Sequence, residues 1–228
     1  MGKTAIMIDG GFYRKRASYL WGKKDADKRA NELYAYCMAH IGADKDHDTA
    51  IETLYRVFYY DCPPIEKNVY HPLTRTNVNL AKNDTYKWTL DFFEALKKKR
   101  KLALRLGELS DAQTGYVLSP QKLKALCAGT ISVADLTEND FSLNIEQKGV
   151  DMRIGIDIAS VTFKKQVDRI ILISGDSDFV PAAKMSRREG IDFILDPMGS
   201  IIKANLFEHI DGLESPWGKN NPQNKKGR

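Results

Sequence analysis

RIILISGDSDFVPAAKMSRREGIDFIL, residues 169–195, carries the pattern that decides the fold. The apolar run DRIILIS (168–174) stops at Gly175 and an acidic turn. Residues 178–189 then read as a helix, with Pro181 in its first turn and Gly190 just past its end. IDFIL (191–195) is a second apolar run. Strands that are apolar throughout are covered on both faces, and strands alternating with helices pair in parallel. Working backward, Val150, Ile154, Ile158 and Val161 lie on one stripe of a helix from 150 to about 166. TAIMI (4–8) and TLYRVFYY (53–60) are two more strands. Between them, residues 12–41 predict one or two helices with a break near Trp21–Asp25. Forward of 195, a short final helix is expected over 200–208.

The middle of the chain is less regular. Residues 65–84 are polar and read as a long loop. Trp88, Phe92, Phe93 and Leu96 mark an amphipathic helix over 85–100, ending in KKKRK. LALRLGEL (102–109) alternates like a strand, and Pro120 opens a short helix over 120–128. Short strands are expected around Ile131–Val133 and Phe141–Ile145. The organisation expected is one α/β domain over 1–213, with an insertion at about 65–145 and a disordered basic tail over 214–228.

The 228 residues carry 35 Lys and Arg against 30 Asp and Glu, a net charge of +5. Lys219, Lys225, Lys226 and Arg228 against Glu214 put +3 of it in the tail, leaving +2 for the body. The basic pI therefore says little about the body's partners. Cys37, Cys62 and Cys127 form no CxxC pair and fit reduced thiols. No apolar run reaches membrane-spanning length, and MGKTAIMIDGGF is too short a run for a signal peptide. The expected location is the cytoplasm, with no membrane partner.

Sites in open parallel sheets form beyond the carboxyl ends of the strands. Asp9 follows the first strand, Asp61 the second, and Gly175-Asp176-Ser177-Asp178 the third. Asp151 opens the helix that feeds that third strand. Carboxylates without cationic partners repel, so such a cluster persists mainly around a cation, and all-oxygen donors select Mg²⁺ or Mn²⁺. The competing structural reading is capping: Asp178 stands before a helix, and Asp61 before Pro63-Pro64 can close a turn. Asp157 lies about 120° around the helix from Asp151 and reads as structural. Asp44, Asp46 and Asp48 imitate the start of a calcium loop, but Thr49 and Tyr55 occupy its glycine and glutamate places. IDGGFY lacks dinucleotide-binding spacing, and the four histidines show no ligand pairing. Among the basic patches, Arg14-Lys15-Arg16 follows the Asp9 loop and suits phosphate contact.

With AIMIDGGF (5–12), YRVFYYDCPP (55–64), LALRLGEL (102–109), QKGVDMRIGIDIAS (147–160) and the 169–195 segment in view, the chain resembles the NYN family. More narrowly it is similar to the LabA-like, DUF88 group, relatives of the PIN-domain nucleases. Phe12 stands where that family often has Asn. The resemblance implies a PIN-like three-layer α/β/α sandwich with a mostly parallel central sheet, and Mg²⁺- or Mn²⁺-dependent hydrolysis of RNA phosphodiesters, single strands favoured. On matching positions, Asp9, Asp151, Asp176 and Asp178 become the catalytic and metal-binding acids. Lys148 and Ser174 would lie near the scissile phosphate, with Arg14 as a further substrate contact. Asp61 is a candidate further ligand, and a homodimer is compatible with the resemblance.

Two rivals remain at the level of sequence. One is a non-catalytic RNA-binding or regulatory module that keeps the fold. The other is a phosphohydrolase of the haloacid-dehalogenase type, whose D-x-D start is spoiled here by Gly11.

Overall fold

The computed structural model describes residues 2–42, 53–109, 114–145 and 147–218. The acidic stretch 44–48 and the tail beyond 218 lie outside them. In chain order the elements are β1 (Lys3–Asp9), α1 (Gly10–Trp21), α2 (Ala26–Ile41), β2 (Thr53–Asp61), β3 (Asn68–His71) and β4 (Thr76–Asn79). Next come α3 (Asp84–Lys97), β5 (Leu102–Leu106), β6 (Glu108–Leu109), β7 (Gly115–Leu118), α4 (Pro120–Cys127), β8 (Phe141–Asn144) and β9 (Gln147–Lys148). The last third holds α5 (Val150–Phe163), β10 (Arg169–Ile173), α6 (Val180–Arg188), β11 (Asp192–Asp196), α7 (Ala204–Phe207) and β12 (Gly212–Leu213). They divide into two compact units. The first is Met1–Asp61, Asp91–Gly107 and Gly149–Arg228; the second is Cys62–Leu90 and Glu108–Lys148.

The first unit is built on a six-stranded sheet in the order β12-β11-β10-β1-β2-β5. Every adjacent pair is parallel. Ala5–Ile8, Val57–Tyr60, Ile170–Ile173 and Phe193–Leu195 are all buried, as continuous apolar strands require. The chain leaves β1 toward β2 but leaves β10 toward β11, on the opposite side. Right-handed crossovers in opposite directions put their helices on opposite faces. Neighbours on β2 show both faces covered: Tyr59 packs on Phe92 of α3, with ring centroids 5.6 Å apart. Tyr60 donates its hydroxyl to Asp157 of α5 at 2.9 Å. The sheet is thus the middle layer of an α/β/α sandwich, the three-layer arrangement expected from the sequence.

The helix break expected near Trp21–Asp25 is present, and Asp25 restarts the helix by accepting the Lys28 N–H at 2.8 Å. A second local network closes the sheet's other edge. Asp196, buried at the end of β11, accepts from the Tyr36 hydroxyl at 2.5 Å and lies 2.9 Å from His40 Nε2. Ser215 donates to the same carboxylate at 2.6 Å. Trp217 packs edge-on against Trp21 and Tyr36, at 5.4 and 5.1 Å between centroids. The disordered segment expected from Glu214 onward is therefore corrected for residues 214–218, which dock through one hydroxyl and one indole.

The second unit is small and antiparallel. β3 pairs with β4, β6 with β9, and β7 with β8. Residues 65–84, expected as a loop, instead hold the β3–β4 hairpin, in which Val69 and His71 alternate inward. His71 packs on Tyr116 and Phe141 at 4.3 and 5.2 Å. Around Val133 a 3₁₀ turn (Val133–Asp135) replaces the expected strand, because Asp135 accepts from Ser132 and caps it. Phe141–Asn144 is a strand as expected.

Candidate active site

Because β1 and β10 are neighbours whose connections diverge, a crevice opens at their carboxyl ends. The register Ile8↔Ile173 brings Asp9 level with Ser174. Asp9 caps α1, its Oδ1 accepting the Phe12 N–H at 3.0 Å, while its Oδ2 lies 3.5 Å from Ser174 Oγ. Capping and site membership are thus shared by one side chain, one oxygen for each. Ser174 is buried, and its Oγ accepts the Asp176 N–H at 3.2 Å. Asp176 in turn accepts the Asp178 N–H at 3.1 Å. Asp176 thus caps the 3₁₀ turn Ser177–Phe179, whereas α6 starts without a side-chain cap, so the capping expected of Asp178 is not made and its carboxylate is exposed.

Asp151 comes from the opposite direction, in the first turn of α5. Gly149 precedes that helix at φ 77°, a left-handed conformation that any Cβ would strain. The four acids share one field. Burial pushes the Asp151 carboxyl above its ordinary value, and repulsion from Asp176 and Asp178 adds to the shift. Asp9 is likewise raised, first by burial, against the Phe12 N–H, with Asp151 and Asp61 repelling it further. Among the described residues, none of the four takes a Lys, Arg or His partner within 4.0 Å. Nor do any three His, Cys, Asp or Glu of the described residues stand close enough to cage an ion as they are. Mg²⁺ does not need a cage: it keeps its waters and uses one or two carboxylates together with substrate phosphate. The donor set, all oxygen and mutually repelling, fits such an ion.

The other acids have structural work. Asp61 is fully buried, accepting from Arg14 Nη2 at 2.9 Å and from the Tyr59 hydroxyl at 3.1 Å. A Cβ on Gly10 would come 2.5 Å from the Tyr60 carbonyl and 2.7 Å from Asp61 Oδ2, so only glycine lets α1 start against this pair. Asp157 accepts from Tyr60 and from Arg105 Nε at 3.0 Å, which fits its structural reading. Arg14 is engaged with Asp61, and Lys148 lies in β9 of the second unit.

One cation was not found from the sequence. Lys203, before α7, donates to Ser177 Oγ at 3.1 Å, between the two acids of the Asp176–Asp178 turn. Among the described residues it has no carboxylate within 4.0 Å. No motif marks it; only the return of β11 beside β10 brings it there. His40, which no sequence pattern assigned, is a buried partner of Asp196.

Comparison with known proteins bears on this geometry. A family model described as NYN domain matches residues 68–204, more than half of the chain. The match takes in Lys148, Asp151, Ser174, Asp176, Asp178 and Lys203, and begins after β1. No curated protein matches the chain. Among solved structures, a protein of unknown function from Vibrio parahaemolyticus is similar at 13% identity, over 93% of this chain and 91% of that one, with a TM-score of 0.45. That likeness is too distant to carry a functional argument. What the family match adds is a lineage for the acidic crevice: this chain belongs to the NYN domain family, within the PIN-like superfamily.

Proposed function

We propose that the protein is a Mg²⁺- or Mn²⁺-dependent ribonuclease that hydrolyses phosphodiester bonds, with single-stranded RNA favoured. The observation that carries this reading is geometric: acids from separate segments meet in one crevice and, among the described residues, take no Lys, Arg or His partner within 4.0 Å. NYN domains are in general nuclease-type proteins, and PIN-like nucleases use divalent ions, which agrees with that chemistry. The LabA-like group, a cytoplasmic location and RNA as the natural polymer belong to the same proposal.

A bound divalent ion would lower the pKa of a water and offset charge on the attacking and leaving oxygens. In this reading Asp9, Asp151, Asp176 and Asp178 hold the ion. Ser174 fixes the loop by accepting the Asp176 N–H and standing beside Asp9. Lys203, and Lys148 as expected from the sequence, hold backbone phosphates, while Arg14 stays with Asp61. No side chain serves as nucleophile. An open, single strand suits the crevice because its phosphates reach the acids unshielded.

A second reading, a non-catalytic RNA-binding module, is favoured by one observation: no three metal-ligating side chains among the described residues stand at caging distance. The test that separates the two is cleavage of labelled single-stranded RNA with Mg²⁺, Mn²⁺ or chelator by the wild type and by Asp176→Asn. Metal-dependent cleavage lost in the variant supports the nuclease. Binding without cleavage in any metal supports the module.

A further inference from the structure

Beside the acids, a groove of about 420 Å³ runs between α5 and α6. Such a volume falls at the lower end of the roughly 300–1,000 Å³ that buries a small organic molecule. Its lining includes Met152, Gly155, Phe179 and Met185, with Asp151 and Asp178 on it as well. Among the described residues, no Lys or Arg lines it. A phosphate is therefore not its occupant, and whatever binds there lies beside the group that sits at Asp151 and Asp178.

Gly155 supplies an independent observation. It stands in the middle of α5, where glycine is the poorest residue after proline. A Cβ there would meet nothing within 4 Å, so neither packing nor backbone conformation calls for glycine. What the missing side chain does leave is depth in the groove. Met152 is 70% exposed at the same groove, an unbranched thioether of the kind that adapts to flat aromatic ligands.

We infer that this groove is a nucleobase subsite, taking the base of the nucleotide whose phosphate lies at Asp9, Asp151, Asp176 and Asp178. The inference rests on the nuclease reading for the position of the phosphate. Exocyclic amino groups of the base match the carboxylates on the lining, which accept and cannot donate. The subsite would make cleavage sensitive to base identity at one position beside the scissile bond.

The test is fluorescence anisotropy with a short single-stranded RNA and an abasic strand of equal length and charge. Ca²⁺ is the supporting ion, and the strands are checked intact afterwards. The wild type should bind the base-containing strand at least about fivefold tighter. Gly155→Leu, which fills the groove, should bind both strands within about twofold. Gly155→Ala should raise Tm by about 2–4 °C, since the helix gains a better former and nothing clashes. If G155L does not fold, the exposed Met152→Glu takes its place and should also abolish the preference. An undiminished preference in the filled variant, or none in the wild type, overturns the inference. So does sedimentation showing a dimer that G155L dissociates, because the groove would then hold a second copy. Cleavage of the base-containing strand with Mn²⁺ is followed in the wild type alongside the binding. Absence of all cleavage in the wild type would sink the nuclease reading while the base preference still decides the groove.

Discussion

Replacing Asp61 by Ala separates a structural carboxylate from a metal-binding one. Asp61 is fully buried, and its Arg14 partner is a quarter exposed. The substitution removes the acceptor of the buried Tyr59 hydroxyl, which costs about 1–3 kcal/mol. It also leaves the Arg14 guanidinium without this counter-ion; breaking a fully buried pair costs about 3–5 kcal/mol, and the exposure of Arg14 lowers that figure. The two effects overlap, so a total near ~3 kcal/mol is expected. For a chain of this size that is a fall in Tm of about 6–12 °C. Thermal unfolding followed by circular dichroism, with and without Mn²⁺, measures it. The stabilisation by Mn²⁺ and the cleavage rate per folded molecule should stay within about threefold of wild type. A Tm loss under about 2 °C together with loss of the Mn²⁺ effect would refute the structural role and make Asp61 a ligand.

Other expectations follow from the same geometry. Asp151→Asn should abolish cleavage yet raise the Tm of the metal-free protein at pH 7–8, because folding disfavours the charged form of this carboxyl; a lowered Tm would contradict the repulsion. Lys203→Ala should weaken RNA binding and reduce the salt slope by about 0.7, the single-strand value for one phosphate contact; an unchanged slope removes Lys203 from the phosphate path. The His40 pair should make docking of residues 214–218 pH-dependent. Burial lowers the His40 pKa, but the Asp196 carboxylate 2.9 Å from its Nε2 and the Glu214 carboxylate 3.9 Å from its Nδ1 outweigh it and raise it overall. Its contribution is therefore full below about pH 6.5 and lost as pH rises through the raised value. Glu214 is held low by His40, so its share is kept above about pH 4.5 and lost on acidification. Trp217 fluorescence across pH 4–9 reports both limbs, and His40→Gln should flatten the alkaline one.

The parts of the fold visible in the sequence are those where local pattern and tertiary role agree. IIL at 170–172 and FIL at 193–195 are apolar because both sheet faces are covered, so the runs announce buried parallel strands. The β3–β4 hairpin was hidden because NVYH and TNVN are short and polar, with inward positions only at Val69 and His71. Pro72 opens the bend, but its left-handed position, φ 57°, is held by Arg75 rather than by Gly, Asn or Asp. Among the acids, strand-end position alone could not tell Asp61 from Asp9. The difference lies in Arg14, 47 residues earlier in the chain and one helix away. The segment from Glu214 reads as tail by composition, yet a single indole finds Trp21 and Tyr36. Lys203 owes its place to sheet order, which no local spacing encodes.

The most direct measurement is the cleavage rate of labelled single-stranded RNA with Mn²⁺ for the wild type and Asp176→Asn, each repeated in chelator. Cleavage should occur only with the divalent ion and fall at least about a hundredfold in the variant, the order of a lost group that stabilises transition-state charge. Equal rates in the two proteins, or cleavage that survives chelation, would contradict the metal-dependent nuclease.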